Sequence, residues 1–399
     1  MTVKRTRTRR RRVAVLSVRH HPASDSVLAG VREYAERHGG WSLLLVRHDV
    51  TLFTRCLERF DGDGAIVHDV AAAPRDGPIR AAVPTVVVAD GEPPPGYAAV
   101  VLDARAAARR ALHYFARKGY RTVGYFDARD VPMSRSLWEG LTAAAADEGV
   151  ECLRFIHGPR MVPGPGWQLQ DQLDDLGEWL THRPRPFALL AADDTHAQRA
   201  VAAAQQAGLH VPNDVAILGV GNDETFCQFS RPSLSSVDLG AERLGSEAAR
   251  LLDGLMRGRR PPRRPLLIAP GDVVQRQSSD VFAVHDPEVI AALSFIRERL
   301  DEPIGVEDLV EHTRVSRSNL QRRFLRALGY SPGRAIRQAR LDRVRHYLSQ
   351  TRLPLADVAA RCGYNGLSQL SRDFRQATGQ SPTQFRQHES PPVTTDSAQ

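Results

Sequence analysis

Arginine and glutamine are the side chains that hydrogen-bond two groups on one base edge at once, and this chain sets them out twice. Arg322 and Arg372 stand fifty residues apart, each two after a leucine (Leu320, Leu370) and two before a phenylalanine (Phe324, Phe374). Gly329, Ser331 and Pro332 meet Gly379, Ser381 and Pro382 at the same offset. Upstream, Leu309-Val310 meets Val358-Ala359 at forty-nine, so one residue has been gained inside a turn. An internal repeat of this period, short in its helices and rich in Arg, marks two copies of one supersecondary unit. The unit reads as a helix-turn-helix, and its partner is expected to be double-stranded DNA: Arg takes guanine O6 and N7 together, and Gln pairs with adenine.

The elements that must position these side chains follow from the apolar pattern. Val306–Gly329 divides into a helix with Leu309-Val310, a turn, and a second helix opened by Ser316 or by Ser318, with Ser318-x-x-Gln321 matching a capping box. Leu320 and Phe324, four apart, point inward and leave Gln321, Arg322 and Arg326 on other faces. In the second copy Cys362 precedes the turn Gly363–Gly366, Leu370 and Phe374 point inward, and Gln369, Arg372 and Arg375 lie outside. Leu341, Val344 and Leu348 mark an amphipathic helix between the copies. A stiff connector lets both second helices enter successive major-groove turns, about 34 Å apart on one face of the duplex. The competing reading is a bundle whose arginines only keep it hydrated; matched arginines, anchors and Gly-x-Ser-Pro endings in both copies weigh against it.

Other reactive groups lack companions. Asp193-Asp194 suggests paired carboxylates, yet no nucleophile or metal motif accompanies them, and no enzyme activity is expected. His20-His21 has no HExxH pattern, and adjacent histidines point in different directions, so no metal is expected. Gly219-Val-Gly221-Asn222 lacks the third glycine of a dinucleotide loop and reads as a strand-end turn; no cofactor is implied. Cys56, Cys152, Cys227 and Cys362 are scattered, as small core residues of a reducing compartment would be. The net charge of +8 is concentrated in Met1–Arg12 and between Arg314 and Arg345, which suits a polyanion. Val13–Val18 is too short for a signal-peptide core, and no run reaches the eighteen apolar residues that span a membrane. A cytoplasmic protein without a membrane partner is expected.

From Val13 to about Arg276, short apolar runs alternate with helical patterns. Val13–Val18, Leu43–Val46, Ala65–Val67, Thr85–Val88, Thr122–Phe126, Phe187–Leu190, Val215–Val220 and Leu266–Ile268 read as buried parallel strands. The length of the segment points to two sheets, an α/β fold in two lobes. After the seam everything is helical, beginning at Asp286-Pro287, a capping residue followed by a first-turn proline. The expected organisation is a basic arm at 1–12, an α/β domain at 13–276, a linker at 277–286, an all-α domain at 287–388 and a loose tail at 389–399.

Leu355-Ala-Asp-Val-Ala-Ala-Arg-Cys-Gly-Tyr364, Ser368-x-x-Ser-Arg-Asp-Phe374, Gly379-x-Ser-Pro382 and Phe385-Arg386 resemble the signature of the AraC-type DNA-binding domain, with Leu370 where Phe is frequent. The resemblance implies that Ser318, Gln321 and Arg322 face bases in the first unit, and Gln369, Ser371 and Arg372 in the second. Arg323, Arg326 and Arg375 are better placed for phosphate. The α/β half resembles the LacI-type, periplasmic-binding-protein-like sensor. The combination is similar to the xylose operon regulators as a family, through Asp286-Pro-Glu-Val-Ile290, Val315-Ser-Arg-Ser-Asn-Leu320, Leu234-Ser-Ser-Val237 and the helix Glu242–Leu252. It implies a ligand cleft between lobes, a small-molecule effector such as a pentose, a homodimer, and RNA polymerase as partner where the output is activation.

The ligand clamp departs from that family. Its Arg-x-x-Gly-Phe element reads Leu137-Trp-Glu-Gly140-Leu here, the Asp after the strand ending at Val220 is Gly221, and the loop His20–Asp25 lacks the aromatic-Gly-Arg element. Asp193 keeps its expected place. Two readings stand: Arg135 and Asp223, each two positions from a lost site, rebuild a sugar clamp with Asp193 and Asp25, or the pocket has turned to another ligand or to none. A free-standing solute receptor is the rival class, and it would leave the helical repeat without purpose.

Overall fold

Runs such as Val13–Leu16 and Thr85–Val88 are apolar on both faces, so they are stable only between covering layers. The computed structural model describes residues 10–17, 24–38, 40–47, 58–68, 83–89, 91, 93, 95–127, 132–156, 169–281, 283–284, 286–351 and 353–389. His20-His21, Cys56, most of the basic arm and nearly all of the tail lie outside them. Residues through 281, apart from Arg117–Gly119, form one compact unit; those from 282 onward form a second, which includes Arg117–Gly119.

In the first unit two six-stranded sheets stand in sequence. The first contains β1 (Arg11–Ser17), β2 (Trp41–Arg47), β3 (Gly64–His68), β4 (Thr85–Ala89) and β5 (Ala98–Leu102). The second contains β6 (Thr122–Asp127), β7 (Glu151–Ile156), β8 (Phe187–Ala191), β9 (Val215–Gly221) and β10 (Ser235–Asp238). The chain then returns to add β11 (Leu266–Ile268) to the first sheet and β12 (Val273–Val274) to the second, three passages between sheets in all. Every described pairing is parallel except β10 with β12. Helices α1 (Ser24–His38), α2 (Ala104–Arg117), α3 (Pro132–Glu148), α4 (Leu169–Thr181), α5 (Asp194–Gln206), α6 (Glu224–Phe229) and α7 (Ala241–Met256) supply the cover. The two-lobed α/β architecture expected from the alternating pattern is therefore present.

Four strands were not read from the sequence: β5, although its run Ala98–Leu102 is apolar and buried, and three others that break the apolar pattern for visible reasons. β7 is an edge strand with charged residues, Glu151 and Arg154, among its apolar ones. β10 begins with serines, and Ser235 and Ser236 are wholly buried because their hydroxyls bond to Arg276 O and Asp194 Oδ1. β12 has only two residues. Residues 277–281, expected as linker, pack instead in the first unit. Ser278 Oγ donates to Ile217 O at 2.7 Å, and Ser279 Oγ bonds Ser235 Oγ at 2.7 Å, so both serines are buried.

The second unit is helical: α8 (Pro287–Glu298), α9 (Val306–Thr313), α10 (Arg317–Leu328), α11 (Pro332–Gln350), α12 (Leu355–Arg361), α13 (Leu367–Thr378) and α14 (Pro382–Glu389). It has two apolar cores. Leu293, Ile296, Leu309, Leu320, Phe324 and Ile336 belong to the first, and Leu341, Val344, Val358, Leu370 and Phe374 to the second. Helix α11 serves both, its front half in one core and its back half in the other.

Candidate DNA interface and effector site

The repeat read from the sequence is exact in backbone register. Helices α10 and α13 each have 12 residues and begin fifty positions apart. Each ends on a left-handed glycine, Gly329 (φ 81°) and Gly379 (φ 77°). The turns before them also share a left-handed residue at an offset of forty-nine, Arg314 (φ 56°) and Gly363 (φ 66°). Ser316 is the N-cap of α10, its Oγ accepting from Asn319 N at 3.4 Å, so of the two serines it is Ser316 that opens the helix, and the capping box expected at Ser318 does not form.

Burial fixes which face is free. Leu320, Phe324, Leu370 and Phe374 are 0 % exposed, so Ser318, Gln321, Arg322, Arg326, Arg372 and Arg375 stand on the outer faces, exposed. Arg322 donates to Asn319 Oδ1 at 3.2 Å, which aligns it along the helix surface. Gln369 is half-buried and folds back, its Oε1 accepting from Asn365 N at 3.3 Å; Ser371 is also half-buried. Reaching a base would require Gln369 to release that bond.

Arg323 is placed differently from its expected phosphate role. Its Nη1 donates to Asp286 Oδ2 at 2.8 Å and Glu288 Oε2 at 2.9 Å, and its Nε is buried. Asp286 caps α8, accepting from Glu288 N and Val289 N. Burial raises the Asp286 carboxyl, but the Arg323 hydrogen bond and the cap outweigh it and hold the group below the usual range. Arg323 therefore fastens α8 to α10. The partner position fifty residues on is Asp373, so the repeat does not match at this site.

In the first unit, the carboxyl ends of parallel strands are where open α/β sheets bind ligands. Asp193 is the N-cap of α5: its Oδ1 accepts from His196 N at 2.7 Å and lies 2.7 Å from His196 Nδ1. Asp223 caps α6, accepting from Thr225 N (3.0 Å) and Phe226 N (3.2 Å). Arg135 and Asp25 are exposed on α3 and α1, and Leu137, at the family's arginine position, is 0 % exposed. The described bonds do not draw the four expected ligand residues into one cluster.

A different acid organises this end of the second sheet. Asp194 accepts from Ser236 Oγ at 2.5 Å and from Asp223 N at 2.7 Å, tying β8, β9 and β10 together. Ser236 Oγ accepts in turn from Asn222 N (2.9 Å), and Arg276 donates to Asn222 Oδ1 (2.9 Å) and Leu234 O (2.9 Å). A β-carbon at Gly219 would fall on Asp194 Oδ1, and one at Gly221 would come within 3.1 Å of Oδ2. The glycine pair of the sequence is thus the space this buried carboxyl needs. Burial raises Asp194 to about 6, against the lowering effect of the bonds from Ser236 and Asp223.

Sequence reasoning also missed an Arg–Asp pair in this second sheet and a polar pair in the first. Asp127, at the end of β6 and 1 % exposed, accepts from Arg154 at 3.4 Å; the Arg154 guanidinium lies 5.4 Å from the Trp138 ring. Ser17 and His68 end β1 and β3 as register partners, both 0 % exposed, with Ser24 Oγ 3.3 Å from His68 Nδ1. Arg154 was invisible because its edge strand has no clean apolar run. Among the described residues no group of three or more His, Cys, Asp or Glu is placed to hold a metal ion, and no helix is long and apolar enough to cross a membrane.

Comparison with known proteins gives the same two parts. Residues 112–279 match the periplasmic binding protein-like domain and residues 309–388 a helix-turn-helix domain. The chain is 27% identical over 386 residues to the xylose operon regulatory protein of Escherichia coli K12, covering 95% of this chain and 97% of that one. It is 28% identical to the Haemophilus influenzae protein of the same name, over 73% of this chain and 75% of that one. A solved structure of the xylose-binding transcription activator xylR superposes with a TM-score of 0.59 at 25% identity, covering 96% of this chain and 100% of the other.

The Asp194 network has a measurable signature. Its folded-state pKa of about 6 lies above the ordinary 3.8, so the folded protein holds this proton more tightly than the unfolded chain. That stabilisation is complete below about pH 4 and lost as pH rises through about 6. Asp194→Asn removes the titration. Urea denaturation should show the wild-type advantage over the variant shrinking by roughly 2–3 kcal/mol between pH 4 and pH 7; a difference that stays flat would mean that Asp194 does not titrate there.

Proposed function

We propose, from the premise that this chain is a transcription regulator of the xylose-operon type, a periplasmic-binding-protein-like sensor followed by an AraC-type DNA-binding domain, that it reads duplex DNA with α10 and α13 together under the control of a sugar. The observation that carries the DNA reading is the matched pair of 12-residue helices, each anchored by a buried Leu and Phe with an Arg on its free face. They flank a 19-residue helix, which extends about 28 Å, comparable with one turn of B-form DNA. Ser318, Gln321, Arg322, Gln369, Ser371 and Arg372 are the base-reading set, and Arg326 and Arg375 the phosphate set. Arg323 is withdrawn from the latter because its guanidinium is committed to Asp286 and Glu288.

For the effector, the relatives named for xylose support a sugar, and the chemistry of a clamp supports a particular place. Arg and Asp suit vicinal hydroxyls because each makes two parallel charge-assisted bonds. Among the described residues, Asp127 at the end of β6 and Arg154 on the neighbouring β7 are a paired candidate, whereas Asp193 and Asp223 each engage one carboxylate oxygen in a helix cap. Sugar binding shifts the sensor between states only in proportion to its difference in affinity for them. In this reading the working unit is a cytoplasmic homodimer whose output is activation through RNA polymerase.

Two experiments test the parts separately. On DNA selected by the wild-type protein, Arg322→Ala and Arg372→Ala should each cost about 1–3 kcal/mol of binding and relax preference at one base pair. Equal losses on every DNA sequence would make these residues phosphate contacts. For the sensor, a thermal-shift panel of aldoses and polyols should single out one sugar, which at a hundred times its dissociation constant adds about 2.7 kcal/mol of stability. Arg154→Met should abolish that shift while Asp193→Asn keeps it; the reverse pattern would return the clamp to Asp193.

A further inference from the structure

The two halves of the DNA-binding unit have separate cores joined through α11, so a direct contact between the halves beside that helix would further fix their angle. A single carbonyl group, Glu302 O, in the loop between α8 and α9, is met from two directions. Arg340, midway along α11, donates through one Nη to Ile304 O at 2.9 Å and to Glu302 O at 3.3 Å. The same guanidinium lies 5.6 Å from the ring of Tyr364, in the turn of the second helix-turn-helix. Next to Tyr364, Gly363 sits so close that a β-carbon there would overlap Glu302 O and come within 2.8 Å of Leu300 O. Its φ of 66° is also left-handed. The equivalent turn residue of the first copy, Arg314, adopts the same conformation with a full side chain, so the turn alone does not demand glycine. What demands it at 363 is the close approach to the first half.

We propose that Arg340, seated between the Glu302 and Ile304 carbonyls and the Tyr364 ring against Gly363, is a positioning residue that fixes the angle between the two recognition helices and thereby the spacing of the two base-pair clusters the protein accepts. The cluster joins the end of the first half (Glu302–Ile304), the connector and the turn of the second half at one point. Tyr364 is 6 % exposed, and among the described residues its hydroxyl and Arg340 Nε are buried without hydrogen-bond partners, a costly arrangement offset in part by the two carbonyl bonds of the guanidinium. Methionine would keep the stem and lose both carbonyl bonds. Lysine would keep the charge but not the flat face over Tyr364.

This inference rests on the two-helix reading of DNA, and one experiment separates them. Full-length protein is measured against DNA it has itself selected, against the same DNA with one, two or five base pairs inserted between the two contacted clusters, and against DNA retaining a single cluster. The wild type should lose about a hundredfold in affinity on a two-base-pair insertion. Arg340→Met and Gly363→Ala should lose about tenfold on the uninterrupted site, nothing on the single-cluster DNA, and most of the insertion penalty. Arg340→Lys, which retains one carbonyl bond, should fall between and serves where the other variants do not fold. A sharp wild-type profile that every folded variant shares would overturn the positioning role alone, as would equal losses on single- and double-cluster DNA. A wild-type profile indifferent to insertion would overturn the two-helix reading and this inference with it.

Discussion

The division of α11 between two apolar cores is the constraint on which the DNA-binding half depends. Ala335 and Ile336 complete the core under α10, while Leu341, Val344 and Leu348 complete the one under α13. Neither recognition helix could hold its outer face to solvent without such an anchor, since 12 residues are too few for a stable helix in water. Because both anchors are on one rigid rod, the exposed Arg faces are presented as a pair. Gly329 and Gly379 then end each recognition helix in the same conformation, and Ser331 caps α11 as it leaves the first.

The sensor half is built on a different economy. Its central strands are buried on both sides, and much of its polar chemistry gathers where strands end or begin. There, Asp194, Ser236, Asn222 and Arg276 form a chain of hydrogen bonds that crosses β8, β9 and β10. Such a network cross-links these three strands at one end of the sheet, which suits a sensor whose lobes move as bodies rather than deform. Asp127, at the end of β6, and Arg154, on β7, are the pair proposed above for the sugar.

Much of this was legible in the chain because periodic patterns report packing. The fifty-residue offset located both recognition helices and their inward residues, and the apolar runs located most central strands. What stayed hidden depends on contacts between residues distant in sequence. Arg323 looked like any surface arginine until Asp286 and Glu288 were found beside it. Ser235 and Ser236 do not look like strand residues, because their burial depends on partners at Asp194 and Arg276. The effector residues were the least legible. Asp193 and Asp223 occupy suggestive positions and also serve as helix caps, while Arg154 lies on an edge strand without a recognisable pattern. The glycines at 219 and 221 were visible throughout, and only the carboxyl of Asp194 explains them.

The account's central claim is that one rigid connector presents two readers to one face of a duplex. Guanine-methylation interference and hydroxyl-radical footprinting of the full-length protein on its selected DNA test that claim directly. The account predicts two clusters of interfering guanines, centred about 10 base pairs apart, with backbone protection on a single face of the helix. A single cluster, or two clusters half a turn out of phase, would contradict it.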